Sequence, residues 1–391
     1  MDLRFSEADQ AFREQVRAFI AAELDPAVRR KLAEHRSLAK HEIVAWQRKL
    51  NTRRWATPSW PAEHGGPGWS AVQRYLFLDE LHQAPAPEPL SFNVNMIGPV
   101  LIAFGTPEQQ RRFLPRIANL DDWWAQGFSE PGAGSDLAAL KTRAIRDGDH
   151  YVVSGQKMWQ GMAQHADWMF TLVRTDASAK PQAGISMLLI DMRSPGVSVR
   201  PIVTLDGRHE VNEVFLDEVR VPADLRVGEE NRGWDITKFL LGHERTGIAR
   251  IGMTRRLIAR AKALAADVPA GSGTLADDAR FRERAAEIEI ELQALQITQL
   301  RLLDAMRHGA HGPDARASIL KVKGTELRQA ASELLLQVAG TRAWRRADEF
   351  DDAADADTTI AATYFTLRAA SIYGGSNEVQ KNILAKTMLG L

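Results

Sequence analysis

Apolar positions recur at two different periods along the 391-residue chain, and the changeovers divide it. Near the start, Phe12, Val16 and Phe19 recur at helical spacing behind Ser6 and Asp9, whose separation suits a capping box. A second helix is predicted around residues 42–50, and residues 58–68, dense in proline and glycine, form a loop. From about residue 123 to 222 short apolar runs alternate with turn residues: 151–153 after the turn Asp147-Gly148, then 168–173, 185–190, 197–199 and 214–216. That pattern predicts a β domain of roughly six to eight strands. After Gly228 the helical period returns. Phe281, Ala285, Ile288, Leu292, Leu295, Leu302 and Met306 follow alternating steps of four and three, with Gln299 in the remaining slot. This is a narrow seam of the kind a helix bundle buries, and a break is expected at 268–274, where Pro269, Gly271 and Gly273 cluster. The expected architecture is α+β: an N-terminal helical domain over residues 1–120, a middle β domain over 121–226 and a C-terminal four-helix bundle domain over 227–391.

Composition narrows the function classes. The length suits two or three packed units, and the apolar fraction of 45% is ordinary for a globular protein. Lysine plus arginine and aspartate plus glutamate number 50 each, which gives no reason to expect a nucleic-acid partner or a charged membrane surface. The chain has no cysteine, so disulfides, thiol catalysis and thiolate metal sites are excluded. The opening residues are charged where a secretory signal needs an apolar run, and no apolar stretch is long enough to span a bilayer. The histidines are scattered without metal-ligand spacing, so no metal is expected. These features read as a soluble, cytoplasmic protein.

The sharpest chemical signal is Phe128-Ser129-Glu130-Pro131-Gly132-Ala133-Gly134-Ser135-Asp136. It is a strand end running into a turn whose glycines let backbone N–H groups approach an anion or a planar ring, with the hydroxyls of Ser129 and Ser135 beside them. A tight surface turn is the alternative reading of this segment alone. Three other segments accompany it in order: Gly155-Gln156-Lys157-Met158-Trp159, the run from Val214-Phe215-Leu216 to Val221-Pro222, and Ile372-Tyr373-Gly374-Gly375-Ser376-Asn377-Glu378-Val379-Gln380. Together they resemble the acyl-CoA dehydrogenases, and within that family they look most like the large subunit of pimeloyl-CoA dehydrogenase and its relatives. The resemblance implies a three-domain dehydrogenase fold and flavin adenine dinucleotide (FAD) as oxidant. It also implies desaturation of an acyl-CoA thioester to the trans-2-enoyl-CoA in fatty acid metabolism, an electron-transferring flavoprotein as electron acceptor, and tetrameric assembly. It places Gln126, Phe128, Ser129, Gly134, Ser135, Trp159, Gly161, Ser376 and Glu378 against the flavin, and Ser135, Arg245 and Gly374 at the substrate.

The family's reaction needs a base for the α proton while the β hydrogen leaves as hydride to flavin N5. Many members carry that base directly after the tyrosine of the C-terminal segment; here the position is Gly374, which has no side chain. A second group, resembling isovaleryl- and long-chain acyl-CoA dehydrogenases, keeps it on a helix before an arginine, which Glu244-Arg245 matches. Periodicity supports Glu244 independently, since Leu240, Glu244, Gly247 and Ile251 step by four, three and four. A carboxylate on an apolar stripe is desolvated, which raises its pKa towards that of a working base. The plainer alternatives are a structural Glu paired with Arg245 or His243, or a stripe that faces solvent.

Two departures stand out. Members usually carry a threonine two residues after the tryptophan, where this chain has Gly161. The elements with which a neighbouring subunit grips the far half of the flavin are also altered. The helix start reads Asp277-Asp278-Ala279-Arg280-Phe281-Arg282-Glu283 without Phe-Gly, and Gln337-Val338-Ala339-Gly340-Thr341-Arg342 has one glycine in place of two. A second, homologous chain could supply the missing half. Alternatives are a flavin oxidase on the same fold, or a non-catalytic subunit of a mixed tetramer.

Overall fold

The computed structural model describes residues 4–243, 249–308, 315–345 and 356–391. The candidate residues Glu244 and Arg245 lie outside the described residues.

The N-terminal helices are α1 (Glu7–Glu23), α2 (Pro26–Ala33), α3 (Lys40–Asn51), α4 (Ala71–Gln83), α5 (Gly98–Phe104) and α6 (Pro107–Asn119). The Ser6–Asp9 capping box forms in both directions, with 3.0 Å from the Ser6 N–H to Asp9 Oδ2 and 3.2 Å from the Asp9 N–H to Ser6 Oγ. Phe12, Val16 and Phe19 are buried in one core with Trp46, Leu50 and Trp55.

The middle domain is an eight-stranded sheet of β1 (Trp124–Gly127), β2 (Arg143–Asp147), β3 (His150–Gly161), β4 (Trp168–Arg174), β5 (Ile185–Asp191), β6 (Val197–Ile202), β7 (Val211–Pro222) and β8 (Arg226–Val227). The order is β6-β7-β3-β2-β4-β5-β8, with β1 added parallel to β4. β4 and β5 read as continuous apolar runs because both faces are buried. β1 is short, and Asn93 ties it to the N-terminal domain by accepting from the Trp124 N–H at 3.0 Å and donating to Asp122 O at 2.8 Å.

The C-terminal helices are α7 (Gly233–His243), α8 (Ile251–Asp267), α9 (Ala279–Arg307), α10 (Arg316–Ala339), α11 (Ile360–Arg368) and α12 (Asn377–Leu384). The break after α8 is a small hairpin of β9 (Pro269–Ala270) and β10 (Gly273–Thr274). The α9 seam is buried from Phe281 to Leu302, including Gln299, with Met306 partly buried at its end. On the outer face of α9, Ile290 and Ile297 are exposed.

Where the three domains meet, His35 is ringed by cations. Burial first, then Arg260, Arg256 and Arg208, push its pKa down from 6.5 to about 3. The unfolded chain therefore binds the proton between those values and the folded chain does not, so stability is lost as pH falls from 6.5 towards 3. Between pH 6.5 and 4.5 this single group should remove about 2 kcal/mol. Urea titrations of wild type and His35→Gln at both pH values check this: the variant should lack that part of the loss, and parallel losses would assign it elsewhere.

Candidate active site

β1 delivers the chain to the turn. Phe128 and Glu130 are buried, and Glu130 and Ala133 exchange backbone hydrogen bonds at 3.0 and 3.1 Å around Pro131-Gly132. The Glu130 carboxylate turns inward. It accepts from the N–H groups of Lys141 (2.6 Å) and Thr142 (2.9 Å) and pairs with Lys157 Nζ at 2.8 Å. Lys157, fully buried on β3, also donates to the carbonyls of Leu172 (2.8 Å) and Phe128 (3.2 Å). Burial lowers the lysine to about 8, opposed by Glu130. Burial likewise works against the Glu130 charge, but Lys157 and the N–H donors outweigh it and hold the carboxyl below its ordinary value. This pair bolts the turn to β3. Sequence reading weighed only the hydroxyls and glycines here. The available signal was the opposite charge of Glu130 in one motif and Lys157 in the other.

Further along β3 the Met158 N–H donates to Ser129 O at 2.9 Å, and Gln160 Nε2 donates to the same carbonyl at 3.3 Å. Between them, Trp159 is the extra residue of a β-bulge. The β3–β7 register passes from Met158↔Glu213 to Gln160↔Asn212, and Trp159 has φ of +71°. A bulky residue in that region is strained, and the bulge turns its indole outward, leaving it 55% exposed in a molecule whose other middle-domain tryptophans are buried. Gly161 follows, and an ideal Cβ built there would stand 2.9 Å from Phe92 Cζ and 3.0 Å from Cε2. The Phe92 ring thus fills the space a threonine side chain would need.

The candidate residues fall into two groups. In the first group, the bonds just described join Phe128 and Ser129 to the β3 segment that carries Trp159 and Gly161, while Gln126 precedes them on β1 and Gly134 and Ser135 follow on the turn. Gln126 is half-buried on β1 opposite Phe170, while Gly134 and Ser135 are exposed, and among the described residues no atom beyond the adjoining chain lies within 4 Å of a Cβ built at Gly134. The second group sits on α10. Lys321 Nζ donates to Ala370 O and Tyr373 O, both at 2.7 Å, and Thr325 Oγ1 bonds Asn377 Oδ1 at 3.1 Å. Gly374 and Gly375 have φ of +64° and +82°, which favours glycine. Ser376 caps α12 by accepting from the Val379 N–H at 3.3 Å, and Glu378 lies exposed in its first turn. Among the described residues no hydrogen bond or ion pair joins the two groups.

The first group suits a flavin. A bare indole offers a stacking face, the open glycines and exposed Ser135 leave room for a charged tail, and buried Gln160 Oε1 has no donor among the described residues. Family models match along the chain: the N-terminal domain of acyl-CoA dehydrogenases over residues 6–121, the middle domain over 125–219 and the C-terminal domain over 231–389. The chain belongs to the acyl-CoA dehydrogenase family. It is 39% identical to the acyl-CoA dehydrogenase IpdE1 of Mycobacterium tuberculosis, over 98% of this chain and 97% of that protein. Among solved structures, the ChsE4-ChsE5 complex from Mycobacterium tuberculosis superposes with a TM-score of 0.86 at 34% identity, covering 100% of this chain and 99% of that one. The Tcur3481-Tcur3483 steroid acyl-CoA dehydrogenase does so at 0.88 and 32%, with the same coverage. As a member of this family the chain is an FAD-dependent oxidoreductase. No helix among the described residues is long and apolar enough to cross a membrane.

Proposed function

We propose that this acyl-CoA dehydrogenase desaturates its thioester at the α,β position to the trans-2-enoyl-CoA, with Glu244 as base and Arg245 near the thioester. Its electrons pass to an electron-transferring flavoprotein in the cytoplasm. The observation that carries this reading is the bulged, bare Trp159 beside the Glu130–Lys157-anchored turn. Residues of the first group, with Ser376 and Glu378, would hold FAD, which when bound accepts the β hydrogen as hydride. The chain's own task is to fix the ring plane through Trp159, exclude water with Phe128 and Phe92, and remove the α proton at Glu244. A ferrocenium-coupled assay across CoA thioesters tests it; a flavin-loaded chain that reduces ferrocenium with none of them would overturn it.

The assembly we favour is a tetramer of two copies of this chain with two of a homologous partner. The names of two relatives pair two chains, ChsE4 with ChsE5 and Tcur3481 with Tcur3483. Gln337 and the single glycine of the altered segment, Gly340, line a groove of about 740 Å³ with Leu205, Arg208 and Phe365, rimmed by Trp344, which is 82% exposed. A different partner would meet this face. The motif likeness to the pimeloyl-CoA dehydrogenase large subunit is part of the same reading. Native mass measurement with flavin content per chain should give partial FAD occupancy for the chain alone and full occupancy with its partner. Full occupancy in a pure homotetramer would defeat the mixed assembly and transfer the grip to Arg280, Arg282 and Arg284, all exposed at the start of α9.

A further inference from the structure

Beneath the C-terminal crossing segment lies a polar cluster that the flavin turn does not use. Lys321, Thr325 and Arg328 follow one another along α10 at steps of four and three, so they share a helix face, and all three are buried. Lys321 is satisfied by the carbonyls of Ala370 and Tyr373, and Thr325 by Val322 O and Asn377. Arg328 is different. Only 2% of the residue is exposed, and its Nε has no hydrogen-bond partner among the described residues. Among the described residues, the charged or ionisable groups that act on it are Tyr373, Arg250 and Glu88.

Glu88 is not its counter-ion. Glu88 Oε1 already accepts from His82 Nε2 at 2.7 Å and from Arg250 Nη1. Burial works against the Glu88 charge, yet Arg250 and His82 hold the carboxyl well below its ordinary range, so it stays ionised and occupied. Close packing keeps these groups together. A Cβ on Gly324 would stand 2.8 Å from Ala249 backbone, and one on Gly252 would stand 2.5 Å from His82 Cβ. Nη1 of Arg256, which also feels the Glu88 charge, is likewise buried without a partner among the described residues. One carboxylate therefore faces the guanidiniums of Arg250, Arg256 and Arg328.

A buried guanidinium nitrogen without an acceptor is costly, so an acceptor from outside the chain would relieve it. The cluster lies against Tyr373, the residue before Gly374, which fronts the substrate in the dehydrogenase reading. Resting on that reading, we propose that Arg328 determines specificity by recognising an acceptor oxygen, a carboxylate or a ketone, borne by the acyl group at a distance from the thioester. CoA phosphates offer the same chemistry but are common to every substrate, so comparison among acyl groups isolates the tail.

The test uses the flavin-loaded full chain with its partner and CoA thioesters of 3-thia acids. In these, sulfur replaces the β-carbon and no β hydrogen exists to be removed. Three analogues matched in length end in a methyl group, a methyl ketone or a carboxylate, and calorimetry gives their Kd values. At least one oxygen-bearing analogue should bind about tenfold or more tightly than the methyl-ended one, the span of a charge-assisted hydrogen bond. Arg328→Met should bring that ratio close to one, and Arg328→Lys should keep part of it for the carboxylate. A ratio near one in the wild type, or one unchanged in Arg328→Met, overturns the proposal. So does equal weakening of all three analogues, which would assign the guanidinium to CoA or to the base. Binding requires no turnover. Selective binding in a chain that never oxidises a thioester would sink the dehydrogenase reading and leave Arg328 assigned; turnover without selectivity would do the reverse. Arg328→Met removes a buried charge whose Nε has no hydrogen-bond partner among the described residues, so it should fold, and circular dichroism confirms this.

Discussion

Glu244→Gln should lower acyl-CoA turnover by roughly 10²–10⁴-fold, the usual contribution of a positioned general base, while leaving FAD content and thioester binding intact. The amide matches the carboxyl in size but cannot accept the α proton. Two members of the stripe that singled out Glu244 are buried, Leu240 at 2% exposure and Ile251 at 4%. The alternative base position is Gly374, whose φ of +64° suits glycine. Gly374→Glu in the Glu244→Gln background should restore part of the rate. Among the described residues, a Cβ built at Gly374 has Lys321 Nζ at 3.9 Å as its nearest neighbour outside the adjoining chain, so a longer side chain has room there to leave the backbone. The left-handed backbone costs an L-residue about 1–2 kcal/mol, which limits the rescue. A nearby ammonium would also make the new carboxylate a weaker base. The measurement is ferrocenium reduction at saturating thioester. A Glu244→Gln enzyme keeping more than about a tenth of wild-type turnover would place the base elsewhere.

Local chemistry was legible in the chain; pairings across distance were not. The Ser6 cap, the α9 seam and the apolar runs of β4 and β5 are each decided by residues within one element, so periodicity and turn composition reveal them. β1 is only four residues long and joins the sheet through β4, more than forty residues away, so its own sequence says little. β2 reads as polar because most of its residues are exposed. At the site, motif order pointed to the turn and to Trp159. The positive φ that turns the indole outward comes from a register mismatch with β7, which no window around Trp159 contains. The stripe of Lys321, Thr325 and Arg328 has the spacing of a solvent-facing helix surface. Burial by α8 and the C-terminal segment reverses that reading, and the residues responsible lie far along the chain.

The Glu130–Lys157 pair is where the fold and the site depend on each other most directly, and its two halves should not be equally important. Lys157→Met leaves the Glu130 charge 8% exposed without its cation and removes the donor to Phe128 O and Leu172 O. Losing one partner of a buried ion pair costs about 3–5 kcal/mol, so this variant should unfold early in urea and lose FAD. Glu130→Gln should be milder. Lys157 keeps both carbonyl acceptors, and burial has already lowered its pKa to about 8. Without the carboxylate that value falls further, and the group sheds its proton instead of remaining as a bare buried charge. The wild-type pH dependence follows from the same shift. Between pH 8 and 10.5 the unfolded chain holds the lysine proton and the folded chain does not, so stability contributed here rises with pH across that window. Lys157→Met should lack that rise. The double variant should recover part of the loss, because two neutral side chains leave no uncompensated charge. Urea titrations of the four proteins at pH 7 and 9.5, with flavin absorbance recorded alongside, measure all of this. A Lys157→Met chain within about 0.5 kcal/mol of wild type would mean that the turn before Trp159 is held by its backbone bonds alone.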